Sequence, residues 1–220
     1  MNRKNQVSCK FIFITILNIL VGIYFFTGEV MATMPTPEWN LTINASRDND
    51  QAFSVAVDSQ DNIIVAGYDR NTTLFNDELW RIMKFNPSGG SMWNHTINIS
   101  DSKDRAHAVA VDNQDNIIVV GYDTTDPTAF PNLDYQWRIM KLDEDKNLLW
   151  ENITNINEYQ EQPEDVAVDS EDNIIVVGHN PEPTSERSEW KIMKFDEDGN
   201  SLWENTTNIN PSGHDRAALS

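Results

Sequence analysis

The sequence predicts an all-β fold built from a repeated four-stranded unit. A phrase that begins VAVD and ends in glycine occurs at 55–67, 109–121 and 166–178, so its copies start 54 and 57 residues apart. A second phrase, WRIMK or WKIMK, follows each copy and begins at Trp80, Trp137 and Trp190. Self-similarity at a nearly constant spacing is the signature of a repeat architecture.

Each unit shows the alternation of residue types that is typical of β-strands. In the first unit, Val55 and Val57, and then Ile63 and Val65, alternate with other residues. β-Branched side chains at a spacing of two favour strands over helices. The unit therefore predicts four strands, near 53–58, 62–67, 79–85 and 92–97, with equivalents in the later units.

Short polar segments separate the predicted strands. The first two strands of each unit are joined by 58–62, 112–116 or 169–173, and two later turns lie at 86–90 and 196–200. Asn, Asp and Gly adopt the positive φ values and form the local side-chain hydrogen bonds that tight hairpins require. The four strands are therefore expected to form one antiparallel sheet.

Four antiparallel strands in a unit of this length are typical of a β-propeller blade. The segment DRAHAVAVDNQDNIIVVG at 104–121, followed by WRIMKLDEDKNLLW at 137–150, resembles the SBBP repeat of exported microbial, including archaeal, proteins, and more loosely the NHL repeat. The resemblance extends from Trp39 to the C-terminus. It implies that the VAVD strand is innermost and the Trp-Asn-Thr strand outermost, and it implies an architecture rather than an activity.

The predicted organisation is a leader at 1–32 and a repeat domain at 33–220. Blade repeats are placed near 39–92, 93–149 and 150–202, with a partial repeat at 203–220. About three and a half blades make an incomplete propeller, because propellers typically have 4–8 blades. The sequence therefore predicts either self-association or a truncated or split gene product whose other blades are missing.

The leader has the layout of a secretory signal peptide. Arg3, Lys4 and Lys10 precede an apolar run at 11–26, and small residues end at Ala32. The run is shorter than the roughly 20 residues of a spanning helix. The protein is expected to be secreted or at the cell surface, or alternatively anchored in the membrane through 11–26 if the leader is retained. The single cysteine, Cys9, lies in the leader, so no disulfide is expected in the repeats.

Charge excludes some classes of partner. The chain carries a net charge of −19, and residues 33–220 carry 13 basic and 34 acidic side chains. Nucleic acids and anionic lipid surfaces need a positive face, so neither is an expected partner.

Seven Asn-x-Ser/Thr triplets are candidate glycosylation sites in an exported chain. An Asn/Thr-rich strand sequence also makes such triplets by chance. They are Asn40, Asn44, Asn71, Asn94, Asn98, Asn152 and Asn205.

Recognition is expected on the long loops that follow Gly67, Gly121 and Gly178 and precede each innermost strand. Their acidic and aromatic composition suits a cation, a basic protein or a sugar, and also suits solvated loops of an acidic protein. The residues concerned are Asp69, Asp77, Glu78, Asp123, Asp126, Asp134, Glu182 and Glu186, with Tyr68, Phe75, Tyr122, Phe130 and Tyr135.

Catalytic and cofactor signals are weak. Asp196, Asp198 and Asn200 resemble part of a calcium loop, but the twelfth position is Thr207 rather than the glutamate of an EF-hand, so a turn is favoured. The histidines show no ligand spacing, and the sequence contains no nucleophile elbow, P-loop or dinucleotide motif. No catalytic residue or cofactor is predicted.

The function expected from these observations is an exported, non-enzymatic β-propeller module for surface binding or protein interaction. Its partner would be a protein or carbohydrate held by the long-loop face. One alternative is a fragment of a larger propeller enzyme, a lyase or quinoprotein-like protein, whose catalytic blades are missing. The other is a calcium-dependent surface protein.

Overall fold

The computed structural model describes residues 39–43, 49–70, 77–124, 135–154, 161–181 and 188–207. These residues contain twelve β-strands and no helix. The strands are β1 Gln51–Val57, β2 Ile63–Arg70, β3 Glu78–Phe85, β4 Ser91–Ile97, β5 Arg105–Val111, β6 Ile117–Thr124, β7 Tyr135–Leu142, β8 Leu148–Thr154, β9 Gln162–Val168, β10 Ile174–Pro181, β11 Ser188–Phe195 and β12 Ser201–Thr207. The predicted strand positions are confirmed to within a few residues.

The strands form three four-stranded antiparallel sheets, each in chain order. Sheet A contains β1–β4, sheet B contains β5–β8 and sheet C contains β9–β12. The Trp-Asn-Thr phrase supplies the fourth strand of each sheet. The first strands lie side by side, because β5 contacts both β1 and β9. Sheet B therefore lies between the other two, within the compact unit formed by residues 41–220.

The turns owe their shape to one repeated carboxylate. Asp58 Oδ1 accepts hydrogen bonds from the backbone N–H groups of Gln60 and Asn62, and Oδ2 accepts one from the Asn62 side-chain amide. Asp61 adopts the positive φ of 61° that closes this hairpin. The same set of bonds recurs around Asp112, Asp143 and Asp196 and, with small changes, around Asp169, whereas the Asn86 amide oxygen is the acceptor in the last hairpin of sheet A. The turn chemistry predicted from the sequence is confirmed.

Two apolar cores separate the three sheets. Sheet B faces sheet A with side chains on β5 and β6 that include Val109, Ile117 and Val119. It faces sheet C with the alternate side chains, including Ile118 and Val120. Both faces of sheet B are thus buried, and alternation decides which core each side chain enters.

The first strand of sheet A has a different environment. Val55 is 62% exposed, whereas its equivalents Val109 and Val166 are 5% and 7% exposed. Val57 is exposed as well, and Val111 is half-buried. Identical strand sequences therefore have different burial, because only sheets B and C have another described sheet against this face.

In sheets A and B, one tryptophan packs on a glycine of the sheet that follows. The Trp80 indole lies beside Gly121, and its Nε1 donates a hydrogen bond to the carbonyl oxygen of Tyr122 at 3.0 Å. A Cβ atom added at Gly121 would lie 2.7 Å from Trp80 Cζ2. The Trp137 ring lies beside Gly178 at a corresponding distance of 2.6 Å, but no described residue accepts a hydrogen bond from its Nε1. Glycine is required here because the ring occupies the place of a side chain.

A second row of tryptophans joins the outer hairpins. Trp93 Nε1 donates to the carbonyl oxygen of Glu144 at 3.1 Å, and Trp150 Nε1 donates to that of Glu197 at 3.0 Å. Each bond runs from the fourth strand of one sheet to the last hairpin of the next. The recurrent tryptophans are therefore structural contacts between sheets.

Most candidate glycosylation sites in the described part of the chain are exposed: Asn40, Asn94, Asn98 and Asn205. Asn152 is half-buried, and its side-chain oxygen accepts a hydrogen bond from Thr154 Oγ1. Asn44, Asn71, the leader at 1–32 and most of the partial repeat, 208–220, lie outside the described residues. Among the described residues, no helix has the length and hydropathy needed to cross a membrane.

Candidate functional site

A β-bulge occurs at the same place in the first strand of all three sheets. The pairing register shifts around Phe53 in β1, around His107 in β5 and around Glu164 in β9, so each of these residues is the extra one opposite the second strand. Bulges turn side chains out of the regular alternation and are common next to functional sites. Three chemically different side chains therefore occupy equivalent positions.

The second strand supplies a partner for each bulge residue. The rings of Phe53 and Tyr68 have centroids 5.7 Å apart, and those of His107 and Tyr122 are 5.3 Å apart. In sheet C, His179 Nδ1 lies 3.1 Å from Glu164 Oε1. The bulge site is defined here as these residues: Phe53, Tyr68, His107, Tyr122, Glu164 and His179.

Contacts between sheets make the bulge site continuous. The rings of Phe53 and His107 have centroids 5.3 Å apart, across sheets A and B. His107 Nδ1 lies 3.8 Å from Glu164 Oε2, across sheets B and C. The site thus runs from an exposed aromatic ring, through an imidazole, to a carboxylate.

Glu164 forms the charged end of the bulge site, and its pKa lies well below the usual value. The nearby His107 imidazole and the hydrogen-bonded His179 lower the pKa of Glu164 to about 2, although its partial burial acts in the opposite direction. His107 Nε2 is buried, with no hydrogen-bond partner among the described residues. Burial raises the pKa of Tyr122, so its hydroxyl is neutral. The site therefore combines one anionic carboxylate with the aromatic rings of Phe53, Tyr68 and Tyr122.

Arg105 connects the aromatic end of the site to sheet A. Its guanidinium carbon lies 4.5 Å from the centre of the Tyr68 ring, a cation–π contact. The same guanidinium donates two hydrogen bonds to the carboxylate of the buried Glu78, at 2.5 and 3.0 Å. Arg105 thus fixes the position of Tyr68 while its charge is balanced by Glu78.

The acidic residues predicted for recognition that lie in the described part of the chain have partners or are buried within the fold. Asp69 accepts a hydrogen bond from Arg81 at 2.8 Å, and Asp123 accepts one from Arg138 at 2.9 Å. Asp77 is buried, and Tyr135 stacks on Tyr122 with centroids 4.4 Å apart. The remaining predicted residues, Phe75, Asp126, Phe130, Asp134, Glu182 and Glu186, lie outside the described part of the chain.

The proposed calcium residues lie in the last hairpin of sheet C. Asp196 Oδ1 accepts hydrogen bonds from the backbone N–H groups of Asp198 and Asn200, and Oδ2 accepts one from the Asn200 amide. These bonds explain the spacing of the three residues as a turn. Within the described residues, no three His, Cys, Asp or Glu side chains are grouped to hold a metal ion. A calcium role for Asp196, Asp198 and Asn200 stays a prediction.

Sequence reasoning missed the grouping of His107, Glu164 and His179. The two histidines are far apart in the chain and lie at different places in the repeat. The sequence signal that could have found the site lies in the alignment of the units. Phe53, His107 and Glu164 occupy the same aligned position, and the residues around that position are similar in all three units. An aligned position that varies inside a repeated strand indicates a side chain that the packing shared by the repeats does not determine.

Comparison with known proteins leaves the candidate site to be interpreted from its own geometry. Neither a protein-family model nor a curated protein matches this chain.

Glu164 predicts a specific acid sensitivity. Because its pKa is about 2 in the fold and ordinarily 4.5, its ionised form contributes stability above pH 4.5 that is lost as the pH falls towards 2. Glu164→Gln is expected to flatten the fall in urea midpoint over this range, measured by tryptophan fluorescence. Glu144→Gln, an exposed carboxylate in sheet B, is the matched control. Parallel profiles for Glu164→Gln and the unmodified chain would contradict the assignment.

Proposed function

We propose that this chain is an exported, non-enzymatic β-propeller module of the SBBP type that binds a basic protein segment at the bulge site. Three antiparallel sheets with adjacent first strands are the arrangement that consecutive propeller blades would have. The sequence repeat and the layout of the leader support the propeller and its export to the cell surface.

The observation that carries the proposed binding function is the row Phe53, His107 and Glu164. Three bulges in three sheets bring these side chains together, although no apolar core requires this. Phe53 presents an exposed ring, which can contact the stem or the charge of a Lys or Arg side chain. Glu164 adds a carboxylate that stays ionised at all physiological pH values, and 13% of its side chain is exposed.

The charge of the whole chain favours the same class of partner. A net charge of −19 attracts basic segments from a distance and raises their association rate. Long-range attraction alone does not define a site, since it acts over the entire surface. The bulge site would make the local contacts with the basic segment, and the negative charge of the chain would increase the rate of association.

A lysine- and arginine-rich peptide tests this proposal. Binding by the full-length chain is measured by fluorescence anisotropy of the labelled peptide, with an acidic peptide of equal length as the control ligand. Phe53→Ala and Glu164→Gln are each expected to weaken binding about tenfold, the effect of losing about 1.4 kcal/mol. Met92→Ala, an exposed apolar change elsewhere on sheet A, is expected to leave binding unchanged.

Equal binding by all three variants would show general attraction to an acidic surface, and it would overturn the site. The two alternative functions, a fragment of a propeller enzyme and a calcium-dependent surface protein, stay predictions. A calcium titration followed by tryptophan fluorescence tests the second of them.

A further inference from the structure

The outer faces of sheets A and C carry the two complementary halves of the contact that joins neighbouring sheets. We define the Val55 face as the side of sheet A that bears Val55 and Val57, and the Ala167 face as the side of sheet C that bears Ala167, Trp190 and Trp203. Val109 and Val111, the equivalents of the two valines, pack against sheet A. The side of each sheet opposite these valines packs against the sheet that follows, with Ala56 or Ala110 at the contact.

The apolar side chains of both faces are exposed in this chain. Val55 and Val57 are exposed on sheet A. Ala167, the equivalent of Ala56 and Ala110, is exposed on sheet C. Trp203 is exposed too, whereas its equivalents Trp93 and Trp150 are half-buried against the next sheet.

Each outer face also carries only one of the two partners of the tryptophan–glycine contact. Trp190 is the equivalent of Trp80 and Trp137, but no described glycine has the Trp190 ring among the atoms nearest to its Cβ position. Gly67 is the equivalent of Gly121 and Gly178, but the nearest atoms to a Cβ placed there belong to the backbone of Gln51 and Ala52, with no indole among them. One face thus offers the ring, and the other offers the glycine that receives it.

The first hairpins show a third complementary pair. Ser59 donates hydrogen bonds from its backbone N–H and its hydroxyl to the Asp115 carboxylate of the next sheet, at 2.8 and 2.6 Å. Asn113 donates its backbone N–H to Asp172 in the same way, at 2.9 Å. The equivalents at the two outer faces are Asp61 and Ser170. No described residue hydrogen-bonds to the Asp61 carboxylate or the Ser170 hydroxyl.

We propose that a second copy of this chain docks its Ala167 face on the Val55 face of the first. Valine packing, the placement of Trp190 beside Gly67 and the bond from Ser170 to Asp61 would all repeat contacts that already join sheets A, B and C. A second copy is the occupant indicated, because one chain carries both halves of every pair. The contact is head-to-tail, so it uses a different face on each copy. A dimer would therefore keep one free Val55 face and one free Ala167 face, which could bind each other in a closed ring or bind further copies.

Two variants, each with a charge on one of the two faces, test which faces meet. Val55→Arg places a charge on one face and Ala167→Arg on the other, both at exposed positions that leave the cores intact. Sedimentation velocity of the full-length chain at about 100 µM, a concentration that detects dissociation constants up to about that value, follows the oligomers. The unmodified chain is expected to associate, and each variant alone is expected to be monomeric. An equimolar mixture of the two is expected to give a 1:1 dimer and nothing larger.

Each other outcome overturns the proposal. Association of Ala167→Arg alone would mean that two Val55 faces meet, or that the leader drives association. A monomeric unmodified chain would mean that both faces are covered by something other than a second copy. Failure of the mixture to dimerise would exclude head-to-tail docking, provided that both variants melt cooperatively near the unmodified chain by circular dichroism.

A charge exchange tests the Ser170–Asp61 pair directly. Ser170→Glu would place two carboxylates together and is expected to weaken the dimer at least about tenfold, a repulsion of about 1.4 kcal/mol or more. Adding Asp61→Lys in the same chain is expected to restore association. Lysine is tolerated at positive φ, as Lys146 shows at 67° in another hairpin. Equal association by Ser170→Glu and the unmodified chain would exclude this contact.

Discussion

Gly121→Val is expected to abolish cooperative folding, with a loss of more than about 4 kcal/mol, a magnitude reached only through a specific structural conflict. A Cβ atom at this position would lie 2.0 Å from the carbonyl oxygen of Arg105 and 2.7 Å from the Trp80 ring. Neither neighbour can give way cheaply. The oxygen belongs to the bulged strand β5, and the buried ring donates a hydrogen bond from Nε1 to Tyr122.

A matched control separates this close approach from the general preference of turns for glycine. Gly89 has a positive φ of 80° in the last hairpin of sheet A. Its equivalent in sheet B is Lys146, also at positive φ. Gly89→Lys is therefore expected to cost no more than about 1–2 kcal/mol, the usual penalty for a non-glycine residue in the left-handed region. Urea unfolding of both variants, followed by circular dichroism, measures the difference. Similar losses in the two would contradict the contact between Trp80 and Gly121.

The sheets were predictable because local signals agree in every unit. Alternation sets the strands, and Asp58 and its equivalents set the turns through hydrogen bonds that span only four residues. These features depend on near neighbours in the chain and recur in each copy, so the sequence alone contained them.

The bulge site was not predictable in the same way. Phe53, His107 and Glu164 have nothing in common as side chains, and they meet only because three register shifts coincide. The contacts of the acidic loop residues were not predictable for a related reason. A carboxylate such as Asp123 looks available in the sequence, but an arginine that follows 15 residues later occupies it. Partners from another strand or sheet decide these roles.

Asp112→Ala is the second change expected to have a large effect, a loss of about 3–5 kcal/mol, as for other buried ion pairs that lose one partner. Asp112 and Lys141 form an ion pair at 2.9 Å, and their side chains are 0% and 5% exposed. Burial alone would raise the pKa of Asp112, but hydrogen bonds from Asn116 and Lys141 offset it and lower that pKa below its usual value. Alanine would leave the lysine charge buried and would remove the acceptor that closes the turn.

Sheet C provides the matched control for this ion pair. Asp169 and Lys194 repeat the contact at 2.8 Å in an equivalent hairpin, but their side chains are 29% and 22% exposed. Because water can solvate the lysine that remains, Asp169→Ala is expected to cost clearly less than Asp112→Ala. Both variants lose the same turn acceptor, so their difference in the free energy of unfolding reports the burial of the charge. Equal losses in urea unfolding would mean that the turn, and not the buried charge, sets the cost.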